Sequence, residues 1–396
     1  MSPSWFVPGR LEVLGKHTDY AGGRSLLAAV NRGVTASVED APTGITAVSD
    51  ASPEAVSITA GADHTLPEGH WGRYLQTVVD RLSANFGPLR PAHLRISSDL
   101  PLASGMSSSS ALIVATALAL AEHNGFTSSP AWTANIGDRI DLAGYLACVE
   151  NGMGFKGLAG HRGVGTFGGS EDHTAMLCCQ AGHLSQVRFC PIVVEDSVEL
   201  DPGWSFVVAV SGVLAEKTGA ARDRYNRAAL ATLELVERWN SHTGAAHATL
   251  AEVLAQPEAV ARLLRLIGTQ DYLAQRLRAF IRESQELIPE ATAALRRHDL
   301  AGFGAIAYDS HAYASRVLGN QIAETDRLVS LARQLGAIGA TGFGAGFGGS
   351  VWALVPTADA DGFASDWLDR YTSEFDSHAA AARTLVTRPG KAAHRL

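Results

Sequence analysis

A chain of 396 residues, 46% of them hydrophobic and 18% charged, is long enough to bury more than one core, and two domains are expected. Its formal charge of -8 argues against nucleic acid and anionic membrane surfaces as partners. Cys148, Cys178, Cys179 and Cys190 are too few and too irregularly spaced for a disulfide framework or a zinc site, the longest apolar run (Ala111 to Ala121) is far short of a membrane span, and MSPSWFVPGR carries no signal pattern, so a cytoplasmic protein is expected.

In chain order, the first informative stretch is Val7 to Val30, VPGRLEVLGKHTDYAGGRSLLAAV. Turns at Pro8-Gly9 and Ala21-Gly22-Gly23 separate two apolar segments, Leu11 to Leu14 and Leu26 to Val30. Lys16, His17, Thr18, Asp19 and Tyr20 lie between them. So many donors and acceptors suit either a pocket that reads the hydroxyls of a small polar ligand or an ordinary solvated hairpin loop. Trp71 to Leu82 has apolar residues at helical spacing.

The stretch from Asp99, DLPLASGMSSSSALIVATALALA, passes from a turn through Gly105, Met106 and four serines, Ser107, Ser108, Ser109 and Ser110, into an apolar helical pattern. A small-residue loop that opens a helix presents unpaired N–H groups to an anion, and hydroxyls can add donors or ligate Mg²⁺. Helix capping alone would need one serine rather than four. A Walker-type loop is excluded because no Gly-Lys-Ser/Thr follows, and the Gly-x-Ser-x-Gly nucleophile elbow is missing.

Further on, Ala131 to Glu150 and Glu216 to Trp239 read as helices, and Thr174 to Cys179 and Ser205 to Val210 as strands. Glu171, Asp172 and His173 are consecutive, so in an extended segment only Glu171 and His173 share a face, which argues against a three-ligand metal cluster. Taken alone, Asp172 is a turn carboxylate and Glu150 a surface helix residue. Leu200-Asp201-Pro202-Gly203 marks the expected junction between domains 1–200 and 201–396. Strands and helices alternate without a βαβ rhythm, which predicts an α+β fold.

Three segments carry a family resemblance. GRLEVLGKHTDYAGG closely resembles the galactokinase signature of the GHMP small-molecule kinases, PLASGMSSSSAL their phosphate-binding motif, and GFGAGFGGSVWALV (Gly342 to Val355) their third motif. The three stand in the family's order across nearly the whole chain. The resemblance implies a two-domain fold: an N-terminal domain like ribosomal protein S5 domain 2, a ferredoxin-like C-terminal domain, and substrates in the cleft between them.

It further implies an ATP- and Mg²⁺-dependent kinase acting on the anomeric C1 hydroxyl of a sugar, galactose by default. Asp172 would accept or orient the proton, and Arg10 would stabilise charge. Arg10 otherwise reads as a structural ion pair with Glu12 or Glu150. Gly105, Met106, Ser107 to Ser110 and Trp71 would meet the nucleotide; Lys16, His17, Asp19, Gly169 and Tyr225 the sugar; Ser108 and Glu150 the metal. Partners are then a sugar and ATP, with the chain a monomer or weak homodimer.

Several positions depart from the family pattern. Lys16 replaces a glutamate, Glu12 an asparagine, Ala103 a glycine, His173 a glutamine and Phe343 a threonine, and the glycine-rich segment 151–171 is extended. Lys16 either reads an anionic substituent, as on a uronic acid, or pairs with Glu12 and leaves neutral sugars welcome. A non-catalytic sugar and nucleotide sensor is the alternative outside enzymology. The intact serine run, Arg10 and Asp172 speak against it.

Overall fold

The computed structural model describes residues 3–62, 66–67, 69–101, 105–213, 219–268 and 271–396. The Ala103 departure lies outside them, as do residues 214–218, which include the expected start of the helix at Glu216.

The first sheet is built from β1 (Ser4–Leu14), β2 (Arg24–Asp40), β3 (Ile45–Ser49), β4 (Ser52–Ile58), β5 (Ala92–Ser98), β6 (His183–Arg188) and β7 (Val193–Glu199). Its spatial path runs β1-β2-β5-β3-β4, with β6 on β2 and β7 on β6; only β3 and β5 pair in parallel. The length of β2 lets one strand carry β1 along one side and both β5 and β6 along the other.

The helices of this half are α1 (Gly72–Phe86), α2 (Ser108–Asn124), α3 (Pro130–Asn135), α4 (Arg139–Asn151) and α5 (Glu171–Cys178). Because α2 has almost no polar stripe, it must be covered on nearly every face, and it packs against β1, β2 and α1. Ile113 and Val114 are fully buried there, each worth about 1.5–3 kcal/mol of burial. Gly125, at φ +69°, ends the helix with its N–H on the carbonyls of Ala121 and Glu122.

Two expectations change. The run from Ala131 to Glu150 is two helices, because Ile136, Gly137 and Asp138 leave the helix and Asp138 caps α4 by accepting from the Asp141 N–H. Thr174 to Cys179 is not a strand: it lies in α5 as far as Cys178. A short apolar run has no period to separate the two, and Glu171 and Asp172 in the first turn complement the helix dipole.

The second half holds β8 (Trp204–Val210), β9 (Gly339–Phe343), β10 (Ser350–Pro356) and β11 (Arg383–Thr387), antiparallel in the order β11-β8-β10-β9. Between β8 and β9 run α6 (Gly219–Thr243), α7 (Leu250–Leu254), α8 (Ala259–Ile267), α9 (Asp271–Phe280), a π-helical turn (Ile281–Leu287), α10 (Ile288–Arg296), α11 (Leu300–Tyr313) and α12 (Ala323–Gln334). α13 (Ala360–Glu374) joins β10 to β11. That strand order, with helices in the first and last connections, is the ferredoxin-like arrangement.

Leu200 to Gly203 carries the chain from the first sheet to the second, but the last strand, β12 (His394–Arg395), returns to pair with β1. The hydrophobic core is continuous across the two sheets: Leu11, Val13 and Leu26 share one cluster with Phe206, Phe303 and Trp352. Trp352 Nε1 donates to the carbonyl of Val13 at 3.1 Å. The seam holding the polar residues below is thus fixed by packing on both sides.

Candidate active site

Arg10 sits on β1 beside a register shift between Pro8 and Arg10, and it is 5% exposed. Its Nε donates to Asp172 Oδ1 at 2.7 Å and lies 3.4 Å from Glu171 Oε1, while Nη2 is 4.0 Å from Glu12 Oε2. Nη1 donates to the carbonyl of Gly105, and the Arg10 N–H donates to that of Met106 at 3.2 Å. Burial works against its charge, but Asp172, Glu171 and Glu12 outweigh burial and hold the guanidinium more firmly protonated than usual.

Gly344 completes the junction. Its N–H donates to Glu12 Oε2 at 3.3 Å, and a Cβ there would lie 3.2 Å from the Gly105 carbonyl oxygen, at a φ of +76° that favours glycine. The first motif, the serine loop and the glycine run therefore meet at one point, as the resemblance requires.

On the loop side, Ser107 takes a left-handed φ of +58° and α2 begins at Ser108. The first amides of α2 have no partner within the helix, by helix geometry. Ser110, fully buried, donates to Glu150 Oε2 at 2.8 Å and faces Asp172 Oδ2 at 3.2 Å; His173 Nε2 lies 3.2 Å from the same Glu150 oxygen. Ser110 rather than Ser108 thus touches the acidic cluster. Successive helical side chains are rotated by about 100°, so Ser108 is turned away from Ser110, and it is half-buried. The Met106 side chain points into the core, so its part here is its backbone carbonyl.

On the opposite side of Asp172, His17 Nε2 bonds the Ala345 carbonyl and Nδ1 bonds the Tyr20 hydroxyl, each at 2.9 Å. A carbonyl only accepts, so Nε2 carries the proton and Nδ1 accepts from Tyr20. Burial, then Arg276, lowers the His17 pKa to about 4 and keeps the ring neutral. Arg276 donates to the His17 carbonyl and to Tyr20 Oη, and the His17 ring centroid is 5.1 Å from that of Tyr225. Asp19 Oδ2 accepts from the Glu171 N–H at 3.3 Å, and burial raises its pKa against the pull of that bond and of the Tyr20 N–H. Arg10, His17, Asp19, Gly169, Asp172 and Tyr225 line one cavity, whose wall continues to Glu150, Asn151, Thr166 and His173.

One expected contact is not where the sequence reading puts it. Lys16 is buried outside the lining of the cavity and is paired with Glu283 rather than Glu12: its Nζ donates to Ser310 Oγ at 2.8 Å and lies 3.5 Å from Glu283 Oε1. That carboxylate also accepts from the Gly15 N–H at 2.9 Å, so Lys16 is neutralised by the helical region of the second half and does not face a substrate anion. Trp71, expected at the nucleotide, stacks on His70 at 6.2 Å, and its indole N–H is buried without a partner among the described residues. Glu171, Ala345 and Arg276 were missed, and Glu12 was read only as an ion-pair partner of Arg10 or Lys16. Only Glu12 and Glu171 gave a signal, as charged residues inside otherwise apolar or glycine-rich motifs.

An arginine-clamped aspartate between the serine-rich start of a helix and a pocket lined by His17, Asp19 and Tyr225, at the seam of an α+β fold, suits a small-molecule kinase. Residues 3–39 match the galactokinase galactose-binding signature, 73–150 the GHMP kinases N-terminal domain and 291–372 the GHMP kinases C-terminal domain. Galactokinase from Mycobacterium bovis is 29% identical over 99% of both chains, and that from Thermotoga maritima 26% identical over 93% of this chain and 94% of its own. In fold, the chain superposes on Lactococcus lactis galactokinase complexed with galactose with a TM-score of 0.82 at 22% identity, covering 100% of this chain and 95% of that one. A mevalonate kinase from L. major follows at 0.57 and 16%, covering 98% and 96%. The chain belongs to the GHMP kinase family and, within it, to the galactokinase branch.

Proposed function

We propose that this sugar kinase transfers the terminal phosphoryl group of ATP to the anomeric C1 hydroxyl of galactose. The observation that carries the reading is the 2.7 Å Arg10–Asp172 pair, set between the start of α2 and the cavity lined by His17, Asp19 and Tyr225. Asp172 accepts or orients the proton of the attacking hydroxyl, Arg10 holds that carboxylate in place and offsets charge on the moving phosphoryl group, and the amides at the start of α2 with the hydroxyls of Ser107 to Ser109 receive the phosphates. His17, Asp19, Gly169 and Tyr225 receive the sugar. The cavity's acidic lining and the engaged Lys16 favour a neutral sugar over a uronic acid.

The oxygens of Glu150 and the α2 serines fit a hard divalent cation. Among the described residues no three His, Cys, Asp or Glu side chains form a metal cluster, which matches Mg²⁺ held by few protein oxygens together with nucleotide phosphates. When bound, Mg²⁺ would neutralise phosphate charge; Glu150 would hold it with Ser110 orienting that carboxylate, whereas Ser108 is turned away from the pair.

ADP release by the purified protein over a sugar panel tests the reading. Galactose should give saturable turnover, and Asp172→Asn should lower kcat at least a hundredfold with nucleotide affinity retained. Saturable galactose binding without ADP formation would overturn it.

A further inference from the structure

Three carboxyl groups converge on the Arg10 guanidinium, and only one of them is needed to hold it for the kinase reaction proposed above, on which this inference rests. Glu12 and Glu171 are 3% and 6% exposed, on β1 and at the start of α5; both line the cavity, and their carboxyl groups converge on the same guanidinium, 4.0 Å from Nη2 and 3.4 Å from Nε of Arg10. Glu12 Oε2 already accepts from the Gly344 N–H at 3.3 Å, and Glu171 Oε2 from Ser25 Oγ at 2.6 Å. Glu12 Oε1 has no donor among the described protein atoms. Two ionised carboxylates can only accept, so side by side at one guanidinium they repel and leave the buried Glu12 Oε1 without a donor.

One proton resolves both problems. It converts the contact into an O–H···O bond and removes one of the negative charges competing for Arg10. The competition is specific, because the single Nε–H of Arg10 lies 2.7 Å from Asp172 Oδ1 and 3.4 Å from Glu171 Oε1. A fully ionised Glu171 would draw that N–H away from Asp172. We infer that Glu12 and Glu171 form a positioning pair that shares a single proton, and that this proton keeps the Arg10 guanidinium committed to Asp172.

The surroundings agree. Glu12 faces Arg10, Lys16, Glu171 and Glu283; Glu171 faces Glu12, Arg10, Asp19 and Asp172, with Tyr225 and Cys179 at its edge. Burial, opposed by Arg10 and Lys16, leaves the Glu12 carboxyl at about 7, and burial with Glu12 itself holds Glu171 well above the usual carboxylate range. The protons of such a pair leave in two joint steps, the second well above the usual carboxylate range.

The test compares wild type with Glu171→Gln, whose amide N–H supplies permanently what the shared proton supplies reversibly. kcat/KM for galactose is followed from about pH 6 to about pH 10, together with the ligand-free melting temperature over the same range. Wild type should show an alkaline limb falling about tenfold per pH unit, and Glu171→Gln should lose it or move it up by more than about one unit. In the melting series the folded pair keeps a proton that the unfolded chain has released, so wild-type stability falls as pH rises, and the gap to Glu171→Gln widens in the variant's favour.

Identical limbs with parallel melting curves would overturn the inference, as would an equal loss of kcat in Glu171→Gln at every pH. Glu12→Gln makes the same replacement from the other side and decides the matter if Glu171→Gln does not fold. Absence of galactose turnover by wild type would sink the kinase reading instead, while the melting curves still judge the pair.

Discussion

Gly169 offers the sharpest single-atom test of the sugar pocket. Its backbone comes so close to the Asp19 side chain that a Cβ would sit 2.4 Å from Asp19 Oδ2, 2.8 Å from its Cγ and 2.9 Å from the Tyr20 N. All three are below contact distance, and the last belongs to the backbone, so Gly169→Ala cannot be absorbed by a rotamer change at Asp19 alone. Overpacking of this kind costs about 1–3 kcal/mol, and the unfolded-state gain from replacing glycine returns only about 0.4–1 kcal/mol. A net cost of about 1–2 kcal/mol falls on the position of Asp19, which is buried, accepts from the Glu171 N–H and lines the cavity. Expressed wholly in sugar affinity, that is about a 5- to 30-fold rise in KM for galactose.

Coupled ADP release at varied galactose and varied ATP separates the two substrates. The galactose KM should rise by that factor while the ATP KM moves less than about twofold, since Gly169 and Asp19 line the cavity and Ser107 to Ser110 are not among its lining residues. Gly362→Ala, in α13 with nothing within 4 Å of its added Cβ, is the matched control and should change neither. An unchanged galactose KM in folded Gly169→Ala would refute the placement of Asp19 in sugar recognition, and an equal rise in both constants would mean a general distortion.

Two further outcomes follow from buried charge. Lys16→Met leaves Glu283 buried without its cation and should cost about 3–5 kcal/mol in denaturant unfolding, whereas Lys16→Met with Glu283→Gln should recover most of it; additive losses would mean that the pair is not coupled. His17, neutral in the fold with its pKa near 4, stabilises the protein fully above pH 6.5, and the benefit drains away as pH falls through 6.5 toward 4 because the unfolded ring takes up the proton first. The full effect is about 3 kcal/mol, and a melting-temperature series on wild type and His17→Gln should show the two curves converging on acidification; parallel curves would reject it.

What could be read from the sequence was whatever depends on backbone chemistry. Gly105 and Ser107 to Ser110 announce a loop that opens a helix, and Gly344 and Gly169 stand where other segments pass within contact distance, so small residues in fixed order carried the site into view. Asp172 was found by resemblance although its segment was read as a strand; the apolar run after it is too short to show a period, and only tertiary packing makes it α5.

The partners of the site's charges were harder to see. Glu283 lies 267 residues from Lys16, in a π-helical turn within a leucine- and alanine-rich region where nothing local marks it, and Arg276 is equally unmarked. A charge departing from its family's pattern therefore has two readings, a new contact with the ligand or a new contact with the protein, and the sequence around it cannot separate them. At Lys16 the choice falls to the protein because a carboxylate and a hydroxyl wait on the far side of the seam. At Glu12 and Glu171 the nearby Lys16 is committed to Glu283, one guanidinium is already shared three ways, and the remaining means of balance is a proton.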